Sequence, residues 1–184
     1  MNRQFLKNSL LTASIIGLAT LTSCEPDDVC LPTDAPFVTV EVKYTDSITP
    51  LADSVIHYEA FANDTLLIEK GSFSRKSKFN LPIQITNNNS VKYILKQGKD
   101  YKTKEIIGTD TIYTEHFAPI DVIYVNYTFD NKYDSKGCGF GIYFKDASFN
   151  ATSNNWIKGI ETVNTTIDNA TNTNFIIFAE PRSN

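Results

Sequence analysis

The sequence has few of the residues that build catalytic or metal centres. Its 184 residues include three cysteines, two histidines, one methionine and one tryptophan. His57, His116 and the cysteines show none of the short spacings, such as Cys-x-x-Cys or His-x-x-x-His, that bring metal ligands together. No Gly-x-Ser-x-Gly motif, a common sign of a nucleophilic serine, is present. The sequence therefore predicts no metal, no cofactor and no enzymatic activity.

Basic residues are too few and too scattered for a nucleic-acid surface. Lys and Arg number 17 against 21 Asp and Glu, which gives a net charge of −4. The basic cluster "RKSK" at residues 75–78 is expected at the solvated end of a hairpin. Because proteins that bind phosphate backbones carry a concentrated basic face, nucleic acid is not an expected partner.

Glycine is also scarce, with eight residues, and three of them form the row Gly137-x-Gly139-x-Gly141. The spacing differs from that of the dinucleotide-binding fingerprint, and no helical pattern follows it. Alternate positions of a strand face the same side, so this row is expected to leave space for a packed aromatic ring or another backbone. A ligand groove is the alternative interpretation.

The longest apolar run falls short of the roughly 20 residues that cross a membrane. Arg3 and Lys7 precede this run at residues 10–21, an order typical of a secretory leader. The motif "LTSC" follows, ends at Cys24 and resembles the lipobox of bacterial lipoproteins. The resemblance implies cleavage before Cys24 and acylation of that cysteine, and each buried CH₂ would stabilise the anchor by about 0.8 kcal/mol. An ordinary secretory signal is the alternative.

Three segments follow from this organisation. They are a lipoprotein signal peptide at 1–23, an acidic, proline-containing linker at 24–36 and a folded domain at 37–184. The prolines of the linker disfavour a helix, so it is expected to space the domain from the bilayer. Glu25 follows the cysteine, where an aspartate favours inner-membrane retention in enterobacteria. The predicted location is the cell envelope, at the outer membrane, on its periplasmic face or on the cell surface.

Two cysteines remain once Cys24 is assigned to lipid. An exported protein enters an oxidising compartment, where an even pair favours a disulfide. A bond between Cys30 and Cys138 would close a long loop and stabilise the fold by on the order of 4–5 kcal/mol through loop-closure entropy, less any strain. A metal site is the alternative interpretation, although the cysteine spacing gives it no support.

Alternating apolar and polar residues predict strands through most of residues 37–184. The segments "FVTVEVKY", "SVIHYEAFAN", "SVKYILKQ" and "NFIIFAE" fit this pattern. Pro82 places "KFNLPIQI" at a sheet edge or at a bulge. The segment "YKTKEIIGTDTIYTEHF" predicts one or two strands with a break at Gly108. The segment "NWIKGIETVN" fits helical or strand spacing, and its β-branched residues favour a strand.

The strongest signal is "IDVIYVNYTFDNKYDSKGCGFGIYF", which predicts a long antiparallel hairpin. Its turn is expected at residues 130–136, and the residues expected to share one face after it are Cys138, Phe140, Ile142 and Phe144. With about eight to ten short strands in all, the predicted fold is all-β, a single antiparallel β-sandwich of immunoglobulin-like or transthyretin-like type.

Four triplets place Asp before Ser or Thr and then an aliphatic residue. Their hydroxyl residues are Ser47, Ser54, Thr65 and Thr111. The triplets resemble the acceptor motif for general protein O-glycosylation in Bacteroidota. Turn chemistry alone produces the same pattern, because Asp, Ser and Thr favour turns and an aliphatic residue starts the next strand. Both interpretations remain open.

Three segments of the chain form a recognisable set: "CEPDDVCLPTDAPFVTVEV", "FNLPIQI" and "VIYVNYTFDNKYDSKGCGFGIYF". Together they resemble a family of uncharacterised Bacteroidota lipoproteins, and the likeness covers most of the chain after the leader. The resemblance implies a Cys30–Cys138 pair and a β-rich fold, and it implies no activity. The sequence differs from the expected pattern at Lys136-Gly137, where a bulkier or charged pair is expected.

These observations predict a lipid-anchored protein that binds or scaffolds without catalysis. The membrane is its expected partner through the acyl chains, and the sequence does not distinguish a protein partner from a glycan. The alternative is a surface carbohydrate-binding or adhesive protein, in which the exposed aromatic residues Trp156, Tyr143 and Tyr133 stack on sugars.

Overall fold

The computed structural model describes residues 36–45, 55–135, 139–168 and 172–180. Within them the regular structure consists of eleven strands, and no helix is present. The strands are β1 (Phe37–Tyr44), β2 (Val55–Ala62), β3 (Leu66–Ser74), β4 (Lys78–Pro82), β5 (Ser90–Gln97), β6 (Tyr101–Ile107), β7 (Asp110–His116), β8 (Ile120–Ser135), β9 (Gly139–Ala151), β10 (Ile157–Thr162) and β11 (Phe175–Ala179). The predicted all-β class is confirmed.

The strands form two larger sheets and one separate hairpin. The four-stranded sheet has the order β10-β11-β1-β4, and the five-stranded sheet has the order β3-β2-β5-β8-β9. Buried residues from both sheets form one hydrophobic core, consistent with a β-sandwich. β1 pairs antiparallel with β4 but parallel with β11. The predicted sandwich was antiparallel throughout, and this prediction is wrong for the pair of β1 and β11. Tertiary packing, which the local sequence pattern does not show, sets the relative direction of two strands.

The core follows from the alternation in the sequence. Val38, Val40 and Val42 point inward from β1, and β5 and β8 contribute matching rows of buried residues. Burial of each such side chain stabilises the fold by about 1.5–3 kcal/mol. Pro82 ends β4 at the edge of its sheet, as predicted, so its missing N–H interrupts no central ladder.

The hairpin of β8 and β9 differs from the prediction. β8 continues to Ser135, so much of the predicted turn at 130–136 is strand. Among the residues expected to share a face, Phe144 is buried, whereas Phe140 and Ile142 are exposed. β9 is the edge strand of its sheet, where part of a strand stays uncovered. Cys138 lies outside the described residues.

The chain divides into two compact units. The smaller includes the described residues Tyr133–Ser135 and Gly139–Gly141. Within this unit the rings of Tyr133 and Phe140 meet edge-on, with centroids 5.6 Å apart. The larger unit contains the remaining described residues and the hydrophobic core.

β6 and β7 form a separate two-stranded hairpin, here called the ribbon. The loop Gly108-Thr109 joins the strands, and Gly108 has a φ of 65°, a left-handed conformation that suits glycine. The predicted break at Gly108 is thus confirmed. Every residue of β6 is exposed, and in β7 only His116 is half-buried.

Candidate functional site

The segment between β9 and β10 is held by a buried carboxylate. Asp121, at the start of β8, is fully buried, and its oxygens accept the backbone N–H groups of Asn155, Trp156 and Ile157, each at 2.8 Å. Ser153 adds a further contact, since its hydroxyl accepts the N–H of Val122 at 2.9 Å. These bonds fix the start of β10 against β8.

The environment of Asp121 favours its ionised form. Burial alone would raise the pKa of this carboxyl, but hydrogen bonds from Ile157, Trp156, Asn155 and Ser153 together lower it below the ordinary value. A general base needs an accessible lone pair and a pKa near the working pH. The carboxylate meets neither requirement, so its geometry supports a structural role.

Trp156 lies directly in the core. Its ring is 1% exposed, and the indole N–H donates to the carbonyl of Leu95 at 3.2 Å. Its own carbonyl accepts the N–H of Glu180 at 2.9 Å, so the segment also contacts the end of β11. The prediction that Trp156 is an exposed stacking platform for sugars is therefore wrong.

A groove borders this segment on its outer side. Its volume is about 440 Å³, within the range of small-ligand sites. The lining combines the half-buried ring of Phe149 with Ile160, and with polar groups of Thr152, Ser153 and Asn154. Gly159 also lines the groove.

Lys158 supplies the cationic group of the groove. Its Nζ donates to the carbonyls of Asn154 at 3.1 Å and Asn155 at 3.2 Å, and it lies 3.0 Å from a carboxylate oxygen of Glu180. These acceptors hold the amine along the wall of the groove. A neutral, hydroxyl-rich ligand fits this lining better than an anion, because the carboxylate already offsets the charge of the lysine.

The ribbon is the other prominent feature of the surface. The side chains of Ile106, Ile107, Ile112 and Tyr113 are 64%, 57%, 46% and 63% exposed. They lie on both faces of the ribbon, because consecutive residues of a strand point to opposite sides. By the register of the two strands, Ile107 and Ile112 share one face, and Ile106 and Tyr113 share the other. This small element therefore exposes large apolar side chains to solvent on both of its faces.

Side-chain contacts join the two strands at the base of the ribbon. The rings of Tyr101 and His116 stack with centroids 4.5 Å apart, and the ring of His116 is hydrogen-bonded to the hydroxyl of Thr103 at 3.0 Å. Lys102 forms an ion pair with Glu115 across the two strands. These contacts support the register of β6 and β7, which pair with no third strand among the residues that the structure describes.

A smaller cavity of about 250 Å³ lies between β3 and β4. Glu69 lines it, and the Tyr58 hydroxyl donates to the Glu69 carboxylate from the core side. Burial raises the pKa of Tyr58 to about 12, and the hydrogen bond and negative charge of Glu69 add to the effect. Tyr58 therefore stays protonated as a hydrogen-bond donor at neutral pH.

The other predicted aromatic residues have different surroundings. Tyr143 is half-buried, and the amine of Lys132 lies 5.6 Å from the centre of its ring. Tyr133 is 53% exposed and pairs with Phe140. Tyr133 is thus accessible, whereas cation–π contact already occupies Tyr143.

The predicted modification sites fall partly outside the described residues. Cys24, Cys30 and Cys138 lie there, as do Ser47 and Ser54, so the lipid, the disulfide and two glycosylation sites stay predictions. The two described hydroxyl residues are both exposed. Thr65 lies in the turn before β3, as turn chemistry predicts, and Thr111 lies within β7.

The described part of the chain contains no group of three or more His, Cys, Asp or Glu side chains placed to hold a metal ion. His57 lies on β2 and His116 on the ribbon, in separate elements. Among the described residues, no helix is long and apolar enough to cross a membrane.

These features define an all-β protein with a structural buried carboxylate and an exposed ribbon. The chain belongs to DUF6452, a family of unknown function whose model matches residues 54–179. The match begins just before β2 and ends with β11, so it includes both the ribbon and the Trp156 segment. Comparison with curated proteins and with solved structures found no match.

Proposed function

We propose that this protein is a lipid-anchored component of the cell envelope that acts as a non-enzymatic binding or scaffolding module. The ribbon is its contact arm. The observation that carries this proposal is the exposure of apolar residues on both faces of a two-stranded element. An isolated hairpin of two strands is at best marginally stable in water, and a partner that covers it would stabilise it.

The anchor in this proposal is Cys24, after cleavage of residues 1–23, with residues 24–36 as the spacer. The leader, the lipobox and the acidic linker support an outer-membrane location on either face. Cys30 and Cys138 form the disulfide in this proposal, and the sandwich is of immunoglobulin-like or transthyretin-like type. An oxidising compartment supports the disulfide.

The contact arm is tested by photocross-linking in intact cells. A photoreactive residue at Ile106 or Tyr113 is compared with the same residue at Leu66, an exposed apolar position on β3 that is 63% exposed. Adducts from the ribbon positions that are absent at Leu66 support the proposal. Equal labelling at all three positions, or none, contradicts it. The intact mass of the envelope form tests the anchor separately, through the added diacylglycerol and acyl group.

A second candidate function is carbohydrate binding, and the groove beside Lys158 is the observation that favours it. The ring of Phe149 offers an apolar wall, and the hydroxyls of Thr152 and Ser153 lie in the same lining. A glycan array with the wild-type protein and with Phe149→Ala tests this candidate. Retention that is lost in the variant supports it, and no retention by the wild-type protein argues against it.

A further inference from the structure

The two outer edges of the ribbon differ in their capacity to accept another strand. Among the described residues, neither β6 nor β7 pairs with a third strand. Ile107 pairs with Asp110 across the two-residue loop, where the first hydrogen-bonded pair of the hairpin is expected. Hydrogen-bonded and non-hydrogen-bonded pairs alternate along an antiparallel ladder, so the backbone N–H and C=O groups of Lys102, Lys104 and Ile106 point away from β7. Lysines on an edge strand oppose pairing, and this edge is therefore guarded.

The edge of β7 has no lysine, and the charge of its outward residue Glu115 is paired with Lys102 within the ribbon. By the same alternation its outward N–H and C=O groups belong to Thr111, Tyr113 and Glu115, and β7 contains no lysine. β-branched and aromatic residues at such positions favour strand addition. Within the described part of the chain, the ribbon therefore has one open edge, where every second residue from Thr111 to Glu115 faces outward and Tyr113 is at the centre.

We propose that this edge pairs with the same edge of a second copy of the chain. This inference rests on the proposed function of the ribbon as a contact arm and names its partner. The two β7 strands run antiparallel about a twofold axis at Tyr113. The ribbons then form a four-stranded sheet in the order β6-β7-β7-β6, and both copies bury the same surface, as twofold symmetry requires.

The register follows from the backbone. With Tyr113 on the axis, Tyr113 lies opposite its counterpart, and Thr111 lies opposite Glu115 of the second copy. All three outward-facing residues of each strand are then paired, whereas a register centred on Ile112 or Thr114 pairs only two of them within β7. The Tyr113 register therefore forms the largest number of hydrogen bonds.

The side chains fit this register on both faces. Tyr113 meets its counterpart in the middle, and aromatic cross-strand pairs stabilise sheets. Lys104 lies opposite Tyr113 within each ribbon, so a lysine flanks the central pair on either side. On the other face Asp110 is opposite His116 of the second copy, which places an acidic group against an imidazole instead of a like charge.

Association through one edge is modest in solution and becomes effective on a membrane. The lipid anchor of the proposed function confines the copies to one surface, and tethering raises the effective concentration to about 1 mM. Without Arg3 and Lys7 of the cleaved leader, the anchored chain has 15 basic and 21 acidic residues and a formal charge of −6, which opposes non-specific clustering. The ribbon edge thus gives a specific dimer of anchored copies.

Charge exchange at the twofold position tests this arrangement. The full chain in detergent micelles is compared with Tyr113→Lys and Tyr113→Glu by sedimentation equilibrium up to about 1 mM. Each variant alone places like charges opposite each other and is expected to weaken association about tenfold. An equimolar mixture places Lys opposite Glu and restores association. Leu66→Lys and Leu66→Glu are the matched control, for which no change is expected.

A zero-length cross-link provides a second measurement that needs no disruptive variant. Photo-oxidation of the wild-type dimer is expected to link Tyr113 to Tyr113, and Tyr113→Phe is expected to remove this dityrosine peptide while leaving association intact. A monomeric wild-type protein up to about 1 mM, a mixture that does not restore association, or a dityrosine map without Tyr113 each overturns the self-pairing. If the ribbon gives cross-linked adducts in cells but the purified protein is monomeric, the role of the ribbon as a contact arm is retained. A second copy of the chain is then rejected as its partner.

Discussion

The carboxylate of Asp121 accepts the backbone N–H of Trp156 at 2.8 Å, across 35 residues of sequence. The bond joins β8 of one sheet to the residue that precedes β10 of the other. Trp156 then extends into the core to donate to Leu95 on β5. One buried acid therefore positions the tryptophan of the chain and the first residues of a strand.

Replacement of Asp121 by Asn is expected to lower the free energy of unfolding by about 3 kcal/mol, because an amide NH₂ would face backbone N–H donors that then lack an acceptor. Urea denaturation followed by Trp156 fluorescence measures the change. Asp130→Asn is the control. Asp130 forms an exposed ion pair with Lys145, so its loss is expected to cost less than about 1 kcal/mol. Similar effects of the two variants would contradict the role assigned to Asp121.

Stability should also depend on pH through Asp121. The pKa of this carboxyl is lowered in the folded state, so its contribution is complete above the unfolded pKa of about 3.9 and is lost as the pH falls through the folded pKa. The wild-type protein is therefore expected to lose stability more steeply than Asp121→Asn below about pH 4. Chemical denaturation at a series of pH values provides the comparison. Parallel curves for the two proteins would exclude this linkage.

Gly71 gives Tyr58 the space it occupies. A Cβ at position 71 would lie 2.8 Å from Cε1 and 2.9 Å from the hydroxyl oxygen of Tyr58. Gly71→Ala is therefore expected to shift the ring and to cost about 1–3 kcal/mol in thermal or urea unfolding. Gly159→Ala is the matched control, because its Cβ would make an ordinary 3.6 Å contact with Phe178. An unchanged stability in Gly71→Ala would mean that the ring of Tyr58 moves without cost.

Tyr58 should titrate late in the alkaline range. Burial, with the neighbouring Glu69, raises its pKa to about 12. The stability linked to this group is present below the unfolded pKa of about 10 and is lost as the pH rises through the folded value. Ultraviolet titration should show one fewer late-titrating tyrosine in Tyr58→Phe than in the wild-type protein. The free energy of unfolding of the variant should also fall less steeply as the pH rises into the alkaline range. A titration curve identical to that of the wild-type protein would contradict the assignment to Tyr58.

Cys30 and Cys138 are expected to form a disulfide in the exported protein. Peptide mapping without reduction should yield one linked peptide pair, which separates on reduction. Cys138→Ser should lower the free energy of unfolding by about 2–5 kcal/mol, the usual cost of losing a native disulfide in a small secreted domain. Free thiols at both positions in protein isolated from the envelope would reject the bond.

Local alternation predicted the sandwich strands well because one face of each is buried. The row of Val38, Val40 and Val42 gives β1 its bounds directly from the sequence. The parallel pairing of β1 with β11 was not predictable, since both strands have the same pattern in either direction. Tertiary packing, rather than local preference, sets that choice.

The structural site was missed for a related reason. Asp121 lies two residues before Ile123 and four before Val125, on the same inward face of β8. An acid on an otherwise apolar face signals a buried, hydrogen-bonded carboxylate. The alternation that places Asp121 on this face was visible in the sequence. The backbone N–H groups that donate to its carboxylate were not. Trp156 was misjudged because the residues before β10 have no clear period, and their burial depends on Asp121.

The parallel pairing of the first and last described strands has a mechanical consequence. If the protein is pulled at the beginning of β1, where the predicted anchor lies, and at the end of β11, the force runs along both strands in opposite senses. Their evenly spaced hydrogen bonds, from Val40 opposite Phe175 to Tyr44 opposite Ala179, are then loaded together in shear instead of opening one after another. A copy held by the predicted anchor would therefore resist extension through this pair of strands.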